Sequence, residues 1–312
     1  MNIRKPLAVI GANSWGGSVY GKIVRGSSVS RETLMDCVET AKQLDLLIFD
    51  LAQDYGLGKA QKLIGAFGTK DIYLSSKFTP FGKYKKGQVR KSLNRDLSEF
   101  KRDYVDIYWL HLPVDIEQNL NEMIELYNEG KIHYIGISNF NLDECKRAKR
   151  ILSSASVPLY GVQNHYSLLN REWEKEGLIS WCKENNILFW AWAVLEEGML
   201  TDPNIKASKS IMKMMFDRKK KQLEPLYTHM KEIGERHNLN IPQVAMSFCT
   251  SNGIVPVCGC RKPYQIKELS EAVKVTLTED EISALQREAD KTNVKILSAD
   301  MFRFMAKKQG ER

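Results

Sequence analysis

The chain has 312 residues, 43% of them hydrophobic and 27% charged, and 46 Lys and Arg against 38 Asp and Glu give a formal net charge of +8. This composition excludes a disordered chain, a collagen-like repeat and a disulfide mini-scaffold, and it leaves material for a large core. Seven Lys or Arg and one Asp between Lys206 and Lys221 carry +6 of the excess, so the rest is close to neutral, unlike the aromatic-interleaved basic face of a nucleic-acid binder.

Short apolar runs alternate with longer amphipathic ones. The first 17 residues, MNIRKPLAVIGANSWGG, have a basic head but an apolar run of only about five residues, too short for a signal peptide. No window reaches the roughly 20 apolar residues that span a bilayer. The six cysteines show no C-x-x-C. A cytoplasmic protein with reduced thiols is expected, without membrane or nucleic-acid partners. Strands are expected at Leu7–Ile10, Leu46–Leu51, Ile72–Ser75, Val105–Leu110, Tyr134–Ile137, Leu159–Gln163, Ile187–Trp192 and Ile254–Val257. They are compact apolar stretches, as strands covered on both faces are. Helical periodicity marks Ser30–Leu44, Gly87–Phe100, Glu117–Glu129, Leu142–Leu152, Trp173–Asn185, Pro225–His237, Pro242–Cys249 and Thr278–Asp290.

Eight strands alternating with helices point to a closed parallel (β/α)8 barrel, one domain over residues 1–312. The gap between strands seven and eight requires extra helices there, the basic segment 206–221 included. A doubly wound sheet is the rival. Its glycine signature is missing: Gly11 to Gly17 has P-loop spacing but glycine where the lysine belongs, and Gly56-Leu57-Gly58 lacks the third glycine.

In a barrel the chemistry sits at the carboxyl ends of the strands. Strand two runs into Asp50 and Tyr55, strand three into Lys77, and strand four into His111. Singly, each has a structural explanation: a turn cap, packing under a loop, a solvent-edge lysine, a core histidine. Together they would meet at one mouth. An ammonium beside a phenol stabilises the phenolate and brings a pKa near 10 down, which suits a proton donor or acceptor near neutral pH. Asp50 would pair with Lys77, and His111 could hold a carbonyl oxygen.

The motifs around these residues resemble those of the aldo-keto reductases. Phe49-Asp50-x-Ala52-x-x-Tyr55-Gly56, Leu110-His111-x-Pro113, Gly136-Ile137-Ser138-Asn139-Phe140, Val162-Gln163-Asn164 with Tyr166, Gly198-Met199-Leu200-Thr201, and Val255-Pro256 with Gly259 are similar to family segments, in order. The resemblance implies reduction of a small aldehyde or ketone by NADPH, NADH being less favoured, without a metal. It assigns catalysis to Asp50, Tyr55, Lys77 and His111, with Tyr55 as general acid. Ser138, Asn139 and Gln163 would hold the nicotinamide carboxamide, and Trp192 would stack on the ring. Leu195, Gly198, Gly259, Arg261, Gln265 and Glu268 would line the rest of the nucleotide, with Arg261 facing the 2′-phosphate. Trp15, Leu112, Phe81 and Tyr84 would border the substrate.

The sequence departs from the pattern in four places. Leu51 replaces a Thr and Gln61 a Glu, both outside the catalytic set. Leu269 stands in place of an Asn that contacts the adenine, a loss of about 1 kcal/mol. Glu196 and Glu197 lie in a loop that passes the pyrophosphate in the family, so they are expected to turn to solvent or to neighbouring lysines. The alternative to an enzyme is a regulatory or redox-sensing subunit of the same fold with slow turnover. Oligomeric state is left open by the sequence.

Overall fold

A computed structural model describes residues 3, 5–16, 29–53, 55–203, 219–294 and 296. Eight parallel strands close into a barrel in sequential order: β1 Val9–Gly11, β2 Ile48–Asp50, β3 Tyr73–Phe78, β4 Val105–Leu110, β5 Ile132–Ser138, β6 Leu159–His165, β7 Leu188–Trp192 and β8 Val255–Gly259. Around them run α1 Arg31–Gln43, α2 Lys59–Phe67, α3 Gln88–Phe100, α4 Ile116–Asn128, α5 Leu142–Ser154, the one-turn α6 Glu172–Lys175, α7 Leu178–Glu184, α8 Glu224–His237, α9 Ile241–Ser251, α10 Pro263–Ala272 and α11 Glu279–Lys291. Both α8 and α9 lie between β7 and β8, where extra helices were expected. Lys219 to Lys221, the end of the basic run, are described; positions 206–218 lie outside the described residues.

Local chemistry accounts for most boundaries. Ser30 caps α1 by accepting the Thr33 amide, and Asn141, Asn240 and Thr278 each close a reciprocal capping box at α5, α9 and α11. The expected helix Trp173–Asn185 is two helices because Gly177 takes a left-handed φ of 76°. Two helices, α2 and α10, were not anticipated. Neither α2, which starts after left-handed Gly58, nor α10, which starts after Lys262, carries a Ser, Thr, Asn or Asp cap.

The barrel interior is filled by Val9, Ile48, Ile107, Trp109, Tyr160, Trp190, Val255 and Val257. Trp109 and Trp190 lie 4.9 Å apart between ring centroids. Gly136 on β5 makes room for the first: a Cβ there would come within 2.2 Å of the Trp109 ring. This aromatic floor reaches the mouth through two hydrogen bonds in series. The Trp109 indole N–H donates to Ser75 Oγ at 2.7 Å, and the Ser75 hydroxyl donates to Asp50 Oδ1 at 2.6 Å.

Candidate active site

Strand register sets the first group of polar side chains. Asp50, the last residue of β2, is the Cα partner of Ser75 on β3, and Lys77 follows two residues later on the same face. Asp50 and Lys77 are both buried and form an ion pair. The Lys77 ammonium also donates to the Leu51 carbonyl at 2.9 Å, and the Gln163 amide donates to Asp50 at 3.3 Å. Leu51 therefore serves through its backbone, which explains why its side-chain departure leaves the pair intact. Half-buried Tyr55 opens a 3-10 turn after β2, its ring centroid 5.2 Å from the Lys77 ammonium.

His111 follows β4 directly and is buried. Its Nδ1 meets the Thr79 hydroxyl at 2.7 Å, and its carbonyl accepts from Asn139 Nδ2 at 3.0 Å. The same amide nitrogen donates to Ser138 Oγ, and Ser138 donates to the Gln163 carbonyl at 2.7 Å. Asn139 takes a left-handed φ of 65°, which an asparagine tolerates better than most residues. Its Oδ1 accepts the Trp192 indole N–H at 3.1 Å. The ends of β4 to β7 are thus tied together by Ser138 and Asn139, through backbone carbonyls on β6 and after β4 and through the Trp192 side chain on β7.

Leu195, Gly259, Gln265 and Glu268 line a cavity of about 500 Å³ beside β8, with Tyr264, Lys231 and Cys258. Gln265 Oε1 accepts the Arg261 and Lys262 amides at 2.7 and 3.1 Å and so supports the start of α10, while Glu268 accepts from Asn240 at 2.7 Å. Leu269 is fully buried and does not line the cavity. Gly198 turns the loop after β7 with a φ of 102°.

The four residues expected at the substrate border differ in exposure and in partners. Trp15 is buried, donates its indole N–H to the Cys260 carbonyl at 2.7 Å and packs edge-on against Phe49. Leu112 is buried beside His111, whereas Phe81 is 63% exposed. The Tyr84 hydroxyl donates to Glu122 of α4 at 2.7 Å, and that carboxylate pushes the phenol up to about 12.

One expectation is overturned. Glu196 does not face solvent: it is 1% exposed, accepting from His165 Nε2 at 2.9 Å and from the Ser167 hydroxyl. Hydrogen bonds from His165 and Ser167 hold it inward, in a turn where φ is positive at both Glu196 and Glu197, 44° and 55°. Glu197 is exposed, as expected. The sequence reading passed over His165, Thr79 and Ser75. A period of two would have flagged His165 beside Gln163 and Ser75 beside Lys77.

The mouth of a closed parallel barrel thus carries a buried Lys–Asp pair against a tyrosine, with a histidine at the neighbouring strand end. The aldo/keto reductase family model matches residues 9–290, and the chain belongs to that family. It is 25% identical over 300 residues to the aldo-keto reductase YhdN of Bacillus subtilis, covering 87% of each chain. To the aldo-keto reductase yakc [NADP(+)] of Schizosaccharomyces pombe it is 26% identical over 295 residues, 85% of each. An aldo/keto reductase from Klebsiella pneumoniae, solved with NADP and acetate, superposes with a TM-score of 0.71 at 19% identity over 90% of each chain. Among the described residues no helix is long and apolar enough to cross a membrane, and no group of three or more His, Cys, Asp or Glu is placed to hold a metal ion.

Proposed function

We propose that this aldo/keto reductase converts a small aldehyde or ketone to its alcohol with NADPH, using Tyr55 as general acid within the set Asp50, Tyr55, Lys77 and His111. The observation that carries the reading is the Lys77 ammonium, 5.2 Å from the Tyr55 ring centroid and held in place by Asp50. Tyr55 passes its hydroxyl proton to the carbonyl oxygen, and negative charge grows on the phenol oxygen as the proton leaves. The fixed ammonium stabilises that charge without having to reorganise. Asp50 keeps Lys77 from being an isolated buried cation, whose desolvation would be prohibitive. His111, its ring set by Thr79 and its backbone by Asn139, orients the carbonyl oxygen. In the reverse direction Tyr55 takes the proton back from the alcohol.

The residues at the mouth fit a nicotinamide nucleotide. Ser138, Asn139 and Gln163 offer a hydroxyl and two amides, the donor and acceptor chemistry a carboxamide requires. Ser14 Oγ, in the turn after β1, is buried with no hydrogen-bond partner among the described residues. The cavity lined by Leu195, Gly259, Gln265 and Glu268 has room for the rest of the molecule. NADPH, when bound, supplies the hydride that adds to the carbonyl carbon. Arg261 and Lys262 favour it over NADH because a 2′-phosphate attracts neighbouring cations; NADP also accompanies the Klebsiella neighbour and stands in the name of the Schizosaccharomyces relative. Trp15, Leu112, Phe81 and Tyr84 are the residues we assign to the substrate border.

Steady-state oxidation of NADPH with a simple aldehyde, paired with NADPH titration of Tyr55→Phe, tests the reading. Loss of turnover with retained binding is expected. Turnover retained by Tyr55→Phe would overturn it.

A further inference from the structure

A second buried acid–base pair lies at the barrel mouth, unused by the reaction proposed above. Glu196 and His165 are 1% and 4% exposed. Glu196 Oε1 accepts from His165 Nε2 at 2.9 Å and from the Ser167 hydroxyl, while Oε2 is buried with no hydrogen-bond partner among the described residues. On the other side of the imidazole, Nδ1 lies 3.1 Å from the Asn170 amide nitrogen. An amide NH2 only donates, so Nδ1 accepts and Nε2 carries the proton given to Glu196. The ring is pinned at both nitrogens.

One face of that ring supports Trp192. The two are Cα partners across β6 and β7, with ring centroids 4.5 Å apart and planes 17° from parallel. The indole edge is held by Asn139, which in turn holds the His111 carbonyl. An unbroken series of contacts therefore runs from Glu196 through His165, Trp192 and Asn139 to His111. The loop at its far end is strained: Ala193, Glu196 and Glu197 have φ values of 61°, 44° and 55°, a region that L side chains rarely adopt. Such a backbone persists where the surroundings over-determine it, and the inward carboxylate is the contact that does so. Simple filling of the space would be better served by an apolar side chain than by a buried carboxylate and imidazole, which must be desolvated.

We infer that His165, set by Glu196 and Asn170, is a positioning residue that fixes the plane of Trp192, so that the loop after β7 controls how a flat ligand ring is received at the mouth. This rests on the nicotinamide reading of the site for its consequence and on the geometry alone for its cause.

A double-mutant cycle with two readouts tests it. First, the emission of Trp192 in the ligand-free protein is taken as the difference between the native chain and Trp192→Phe, and its quenching by acrylamide is measured. Second, the Kd for NADPH is measured directly. His165→Leu is expected to make Trp192 more accessible to acrylamide and to raise the Kd about tenfold, and the rise should vanish in the Trp192→Phe background because the two residues act as one unit. Glu196→Ala should shift both readouts in the same direction, and Glu196→Gln, which keeps an acceptor for His165, should recover most of the native behaviour. Unchanged Trp192 quenching in His165→Leu overturns the inference, as does a Kd rise of the same size with and without Trp192. If the native chain fails to bind NADPH, the functional reading falls and the ligand-free quenching still decides the positioning role. If His165→Leu does not fold, Glu196→Ala decides it by the same measurements.

Discussion

Asp50 and Glu196 are both buried carboxylates at the mouth of one barrel, yet their support runs in opposite directions. Asp50 closes a regular strand, and the register of β2 with β3 delivers Ser75 and Lys77 to it without any unusual backbone. Gln163 adds a third donor. Glu196 sits in a turn with left-handed neighbours, takes its hydrogen bonds from a histidine and a serine, and has one oxygen with no hydrogen-bond partner among the described residues. In the first case the sheet positions the acid. In the second the acid positions the loop against the sheet. A charge placed by strand register is rigid by construction, whereas one placed by a turn holds only while its own contacts last.

The largest expected effect tests what the Asp50 side of the mouth is for. Tyr55→Phe removes only a hydroxyl, and general acid catalysis of this kind contributes on the order of 10²–10⁴ in rate. A fall of that size in kcat with NADPH binding kept would tie the rigid pair to proton transfer. A fall of less than tenfold would mean that the phenol is packing.

Next comes the pair itself. Asp50→Ala leaves Lys77 as a buried cation, and breaking such a pair from one side costs about 3–5 kcal/mol. Asp50→Leu with Lys77→Met removes both charges and should lose much less, read by denaturant unfolding. Equal losses for the single and the double variant would show that packing, not charge, dominates there. Gly136→Ala is expected to be milder, about 1–3 kcal/mol for overpacking, because its new methyl would meet the Trp109 ring beneath Ser75 and Asp50. If that variant also slows turnover, the aromatic floor supports the catalytic pair through Ser75; if stability alone changes, the two are independent.

The same contrast explains what was legible in the sequence. Each of the eight strands was anticipated, because a buried parallel strand is an uninterrupted apolar run. Asp50, Lys77 and His111 stood out because each is a polar residue at the end of such a run. Helices α1, α5, α9 and α11 announced themselves through apolar periodicity, and each proves to start at a side-chain cap. Helix α2 did not: it begins at glycine and is held from outside, with Gly65 so close to the Glu99 carbonyl that a Cβ would lie 1.8 Å away. Glu196 was misread for a related reason. A carboxylate in a loop that passes a pyrophosphate is expected to turn away from it, and nothing in the spacing of Glu196 and Glu197 reveals that both take a positive φ while only the first turns inward. Tertiary contacts set both features.

A third buried acid, outside the proposed catalytic set, separates charge pairing from catalysis. Glu281, on the first turn of α11, accepts the Thr278 amide at 3.0 Å, His237 at 2.9 Å and Arg236 at 3.1 Å. Burial acts to raise its carboxyl, and these donors outweigh burial and hold it down at about 2, against the ordinary 4.5. A folded-state value below the unfolded one stabilises the fold fully above the unfolded pKa and loses that contribution as the pH falls through the window from 4.5 to about 2. Native protein should therefore lose stability more steeply than Glu281→Gln between pH 5 and pH 2, followed by denaturant midpoints at each pH. Parallel slopes would mean that Glu281 is no better paired in the folded chain than in the unfolded one.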